Sequence, residues 1–189
     1  MNIPNILTVT RVIITPIFLA IFLIETIPYH FTIALVLYII GALTDLFDGL
    51  IARKRNLVTN FGKFADPLAD KILTTSAIIA FMAIGRCSPW VLFIILFREF
   101  AISSVRLIAA TDGVVIPANM WGKVKTTVQN IAIIAITLGL SIIYDFMLLP
   151  RTFPLEIISE ILLWILAAVT IISGVVYMYQ STKIINFKV

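Results

Sequence analysis

Six stretches of this 189-residue chain are long and apolar enough to read as bilayer-crossing helices, at about residues 6–25, 31–51, 68–84, 89–110, 124–144 and 155–180. A crossing takes about 20 residues, which leaves room for short loops and for no separate soluble domain. Composition agrees: 61% of residues are hydrophobic and 13% charged, whereas a soluble domain runs nearer half apolar and a quarter charged. The expected fold is an all-α integral membrane protein, a six-transmembrane-helix bundle forming one domain over residues 1–189. The third run is the weakest, because Asp66, Asp70 and Lys71 stand at its opening. The last is longer than a bilayer needs and is expected to emerge as a short tail from Lys183 to Val189. Pro28, Pro89, Pro150 and Pro154 sit at run boundaries, where a missing N–H does least harm. Nothing resembling a cleavage site follows residues 12–24, which read as part of a true span.

Basic residues set the expected orientation. One side of the membrane receives Arg11, Arg53, Lys54, Arg55, Lys63, Lys71, Arg106, Lys123, Lys125, Lys183 and Lys188. The other receives Arg86 and Arg151, and Arg98 lies near the middle of the fourth run. The positive-inside rule then places both termini in the cytoplasm. The net charge of +4 is a topology signal, and nucleic acid is not an expected partner. The single cysteine, Cys87, removes intrachain disulfides and Cys-based metal clusters, and the single histidine, His30, removes His-rich metal sites and disfavours a Ser-His-Asp hydrolase. Any chemistry falls to carboxylates, Lys/Arg, hydroxyls and backbone.

Four of the ten acids stand where acids are expensive. A helix advances about 100° per residue, so Asp45, Asp48, Gly49 and Ala52 share one stripe, with Arg53 near it. Gly62, Asp66 and Asp70 are spaced four apart and make a second stripe. A connection of roughly eight residues would make these helices antiparallel neighbours with facing stripes. Ionised acids near a bilayer are costly, and like charges add repulsion. Protonation would relieve that strain, and so would hard divalent cations, for which carboxylate oxygens are the preferred ligands. A two-metal carboxylate site suits phosphoryl transfer. The bland reading pairs each acid with Arg53, Lys54 or Lys63, or leaves it solvated. It explains either pair alone better than it explains four acids with matched small residues.

The run D-x-x-D-G-x-x-A-R, eight residues, then G-x-x-x-D-x-x-x-D resembles the signature of the CDP-alcohol phosphotransferase family, with Asp45, Asp48, Gly49, Ala52, Arg53, Gly62, Asp66 and Asp70 filling its fixed positions. Four further segments are similar to one branch of that family: Asn2 to Arg11, Phe64 to Lys71, Arg98 to Arg106 and Gly122 to Gln129. The resemblance implies about six helices, a homodimer, and a polar cavity opening to the cytoplasm from a bacterial cytoplasmic membrane. It implies CDP-diacylglycerol as donor and sn-glycerol 3-phosphate as acceptor, with two divalent cations, Mg²⁺ or Mn²⁺, held by Asp45, Asp48, Asp66 and Asp70. Asp70 would double as general base for the acceptor hydroxyl. Gly49, Ala52, Arg53 and Gly62 would form the nucleotide side of the pocket, joined by Asn5 and Thr8. Pro67, between the last two aspartates, starts or bends that helix in this reading.

A glycerol phosphate needs cations for its own phosphate, which inositol or choline would not. Arg106, with Glu99 and Ser103 on its stripe, and Lys125, with Thr126 and Gln129 on its own, are the first candidates, followed by Arg98 and Lys123. Arg98 is deep for an arginine, and a helix carbonyl or an acid, including Glu99 of a neighbouring chain, is an alternative partner. Trp90, Trp121, Tyr29 and Tyr177, near span ends, read as interfacial anchors. Glu25, Asp145, Glu156 and Glu160 read as outer-loop or boundary residues. Two rival functions stay open: another acceptor, such as inositol phosphate or serine, and a cation transporter. The transporter predicts acids spread through the membrane thickness, and these four cluster at one side.

Overall fold

A computed structural model describes residues 3–55, 60–111 and 119–182, with side chains described throughout except at 3–5, 45–55 and 60–67. Among the described residues six α-helices make up the bundle: α1 (Ile3–Leu23), α2 (His30–Arg55), α3 (Asn60–Ala83), α4 (Pro89–Thr111), α5 (Met120–Leu140) and α6 (Leu155–Thr182). A π-helical turn, Ser141–Asp145, extends α5. The six apolar runs thus match six helices. Three of these carry a stretch long and apolar enough to cross a membrane, Ile6–Leu23, Met120–Asp145 and Leu155–Thr182, and His30–Thr44 is a shorter apolar stretch.

The largest departure from the sequence reading is at the α2–α3 connection. A connection of roughly eight residues was expected, but α2 runs on through Arg55 and α3 already begins at Asn60. Apolar-run reasoning ends a helix where charges begin, whereas backbone hydrogen bonding continues into the polar ends. Position 67 lies inside α3, so Asp66 and Asp70 belong to one helix.

Local chemistry explains the helix ends. Gly85, at φ 74°, closes α3, with Arg86 N–H donating to Phe81 O at 2.8 Å and Gly85 N–H to Met82 O at 3.1 Å. Asn119 caps α5, its side-chain oxygen accepting from Gly122 N–H at 2.7 Å. Asp145, expected merely at a boundary, accepts from the backbone N–H and the hydroxyl of Thr32 at 2.7 Å each, tying the first turn of α2 to the end of α5.

α1 packs along both α2 and α3, and α5 packs against α2 and α6. Phe18, Phe22, Tyr38 and Phe81 are fully buried where the first three helices meet, with Phe22 and Phe81 rings 5.7 Å apart. At Gly41 a Cβ would stand 2.7 Å from Leu73 Cδ2, so glycine permits the close approach of α2 and α3. Several buried hydroxyls bond to their own helix: Thr137 to Ile133 O, Ser159 to Leu155 O, and Ser181 to Tyr177 O. Outward faces are apolar instead, as at Ile13, Phe93, Phe97 and Val175, the arrangement suited to a lipid surrounding.

Candidate active site

The start of α1 and α3, the end of α2 and α4, the start of α5 and the end of α6 share one end of the bundle. There a cavity of about 440 Å³ is lined from α3 by Asp70 and Lys71, from α4 by Arg98, Glu99 and Arg106, from α5 by Lys123, Lys125 and Gln129, and from α6 by Tyr177. All four residues expected to take an acceptor phosphate therefore share one cavity with Asp70. Five cations and two acids line it, a balance that favours a multiply charged anion.

Glu99 gathers three of those cations. Its Oε1 accepts from Arg98 Nη1 and from Lys125 Nζ, each at 2.8 Å, and Oε2 lies 3.5 Å from Lys71 Nζ. Lys71 also donates to Ser103 Oγ. The Lys125 side chain is only 6% exposed and that of Glu99 14%. Breaking a buried pair of this kind costs about 3–5 kcal/mol, because the partner left behind keeps its charge without water. The acid beside Arg98 within the chain is its sequence neighbour Glu99. Arg98 also donates through Nη2 to Ser173 on α6 at 2.7 Å, and its stem lies 3.2 Å from where a Cβ on Gly174 would stand.

Arg106 donates through Nε to the Tyr177 hydroxyl at 3.0 Å, and its guanidinium carbon sits 5.3 Å from the Tyr177 ring centroid. Tyr177 is 2% exposed, which corrects its reading as an interfacial anchor. Trp90, Trp121 and Tyr29 are exposed, as anchors are. Sequence reasoning also missed Arg11, counted only as a topology charge: it is fully buried and donates to Thr44 Oγ1 at 3.4 Å, one residue before Asp45. A basic residue four places inside an apolar run, as Arg11 is relative to Leu7, was the available signal.

The remaining expected residues divide in two. Thr8 is fully buried on α1 and does not line the cavity with Asp70. Asp45, Asp48, Gly49, Ala52 and Arg53 on α2, Gly62 and Asp66 on α3, and Asn5 on α1 have side chains outside the described residues. Their backbone register is informative nonetheless. Asp45 stands ten residues before the end of α2 and Asp70 ten after the start of α3, each about 15 Å from the connection at 1.5 Å per residue. Asp48 and Asp66 stand seven and six residues from it, about 10 Å in both cases. The four acids thus come in two matched levels on consecutive helices. Their all-carboxylate donor set fits hard divalent cations. Among the described residues no group of three or more His, Cys, Asp or Glu gathers to hold a metal ion, and of the four aspartates only Asp70 has its side chain among them.

Comparison with known proteins identifies the family. The family model described as CDP-alcohol phosphatidyltransferase matches residues 1–172. A Bacillus subtilis protein named CDP-diacylglycerol–glycerol-3-phosphate 3-phosphatidyltransferase is 38% identical over 195 residues, covering 95% of each chain. A Rickettsia bellii protein of the same name is 37% identical over 185 residues, covering 96% of each. With the family's fixed acids on α2 and α3 and a cation-lined cavity beside the last of them, the chain belongs to the CDP-alcohol phosphatidyltransferase family.

Proposed function

We propose that this chain transfers the phosphatidyl group of CDP-diacylglycerol to sn-glycerol 3-phosphate, giving phosphatidylglycerophosphate and CMP. The relatives' names support the pair of substrates. The observation that carries the reading is one cavity holding Arg98, Arg106, Lys123 and Lys125 together with Asp70. An alcohol bearing a phosphate needs those cations, and serine or free inositol does not.

In this reading Arg106, Lys123 and Lys125 bind the acceptor phosphate through charge-assisted hydrogen bonds and so aim the acceptor hydroxyl toward Asp70. An Asp70 carboxylate oxygen takes the hydroxyl proton as the acceptor oxygen bonds to the phosphorus next to diacylglycerol. The bond from that phosphorus to the bridging oxygen breaks, and CMP leaves with that oxygen. A carboxylate among cations is a weak base, so holding the reactants in line matters as much as removing the proton. Asp45, Asp48, Asp66 and Asp70 are the residues that would hold two Mg²⁺ or Mn²⁺ ions, which when bound neutralise the donor's pyrophosphate. Gly49, Ala52, Arg53 and Gly62, with Asn5 and Thr8, form the nucleotide side.

All six helices cross a bacterial cytoplasmic membrane in this reading, residues 1–189 make one domain, and the chain works as a homodimer. Eleven basic residues on one side against two on the other support cytoplasmic termini and a cavity open to the cytoplasm. The test is CMP release from CDP-diacylglycerol with Mg²⁺ or Mn²⁺ and, separately, sn-glycerol 3-phosphate, inositol phosphate or serine. Release with glycerol 3-phosphate at the highest kcat/KM is expected. Faster release with another acceptor overturns the substrate assignment, and no release with any acceptor favours a transporter.

A further inference from the structure

We propose that Glu99 is the positioning residue of the acceptor pocket, gathering Lys71, Arg98 and Lys125 from three helices into a cluster that matches a phosphate monoester dianion. The inference rests on the acceptor reading above and adds a residue to it.

The charge balance is the first argument. Three cationic head groups lie within 3.5 Å of one carboxylate, which leaves two positive charges over. A phosphate monoester carries about −1.5 to −2 near neutral pH, so the remainder complements it, whereas a neutral alcohol offers nothing in return. The second argument is geometry. Each Glu99 oxygen faces a cation, so the carboxylate itself presents no open side to an anion. Arg98 spends one Nη on Glu99 and the other on Ser173, which makes it a brace between α4 and α6. Lys125 keeps two further N–H groups beyond its bond to Glu99, and it lines the cavity next to Arg106 and Lys123. The third argument is the chain path. Lys71 adjoins Asp70, so the Lys71–Glu99 contact ties the helix bearing the base to the pocket that holds the acceptor.

Two effects oppose each other when the charge is removed. A bare cation cluster attracts anions more strongly, but three unneutralised cations repel one another and Lys125 loses the counter-ion that its burial requires. At separations of hydrogen-bond length inside a protein the second effect governs, because the cations no longer share a position.

Glu99→Gln tests this, with Glu99→Asp as a second variant that keeps the charge but retracts it from Lys71. Titration calorimetry of the detergent-purified full chain with sn-glycerol 3-phosphate and with inorganic phosphate reads the pocket without needing turnover. Steady-state rates read the two KM values. The expected result for Glu99→Gln is at least tenfold weaker binding of both anions and at least a tenfold higher KM for glycerol 3-phosphate. The KM for CDP-diacylglycerol stays within twofold, and Glu99→Asp falls between wild type and Glu99→Gln. Unchanged or tighter anion binding in Glu99→Gln overturns the proposal, as do equal rises in both KM values. If wild type binds phosphate but releases no CMP with glycerol 3-phosphate, the functional reading fails while the calorimetry still decides the role of Glu99.

Discussion

Two polar cavities stand at opposite ends of the bundle and obey different charge rules. The one beside Asp70 collects five cations against two acids. The other, about 670 Å³ and bounded by the α1–α2, α3–α4 and α5–α6 connections, sets Arg86 and Arg151 against Glu25 and Asp145. Its cations are already occupied. Arg86 donates to Tyr144 Oη at 3.1 Å and to Glu156 at 3.4 Å, and Arg151 lies 5.7 Å from the Tyr144 ring centroid. Asp145 caps α2 through Thr32. Volume therefore does not distinguish a reaction site from a tied helix end, whereas surplus charge does. In the first cavity a single acid gathers three of the five cations and leaves an excess, and in the second Arg86, Arg151 and Asp145 each have a structural partner.

The sharpest way to break this contrast is Asp70→Asn. Loss of a general base lowers turnover by about 100-fold or more, with glycerol 3-phosphate binding retained by calorimetry; turnover near the wild-type rate would remove Asp70 from that role. Next comes Arg106→Ala, compared with Arg86→Ala in the other cavity and with Lys188→Ala. Losing a charged hydrogen bond of about 1.5–3 kcal/mol raises the KM for glycerol 3-phosphate by about tenfold or more. The two controls stay within about twofold, and equal effects from all three would erase the difference between the cavities. Tyr177→Phe removes only the hydroxyl that orients Arg106, so a rise of about fivefold in the same KM is expected from a neutral partner worth about 1 kcal/mol. No change in KM would make the Tyr177 contact incidental.

The smallest effect belongs to the far end. Burial pushes the Cys87 thiol up to about 11, so at pH 8 almost none is thiolate, and thiolate is the reactive form. Maleimide labelling of the folded protein is expected to be slow at pH 7.5 and to accelerate as pH rises toward 11, with Cys87→Ser leaving kcat/KM within about twofold. Rapid labelling at pH 7.5 would show that this end is more open than the packing around Cys87 implies.

Helix number was legible in the sequence because each apolar run is long enough to stand alone as a helix. The ends of α2 and α3 were not, since the second run stops at about residue 51 and the third starts at Leu68, whereas α2 continues to Arg55 and α3 begins at Asn60. Asp70 and the four basic residues that line its cavity were legible from motif and helical spacing. Glu99 was seen as a neighbour on the Arg106 stripe and, from a neighbouring chain, as an alternative partner for Arg98. Its importance comes from Lys71, Arg98 and Lys125 meeting across three helices, which no one-helix pattern contains. Tyr177 was misread for a related reason: a tyrosine near a span end looks like an anchor until Arg106, on another helix, is found against its hydroxyl.

The central claim is that the cation-lined cavity exists to receive an acceptor's phosphate, and the most direct measurement uses two acceptors differing only in that group. CMP release from CDP-diacylglycerol by the purified protein, with saturating Mg²⁺, would be followed with sn-glycerol 3-phosphate and with glycerol. Release with glycerol 3-phosphate and at least 100-fold lower kcat/KM with glycerol is the predicted result, and comparable values for the two would contradict the account.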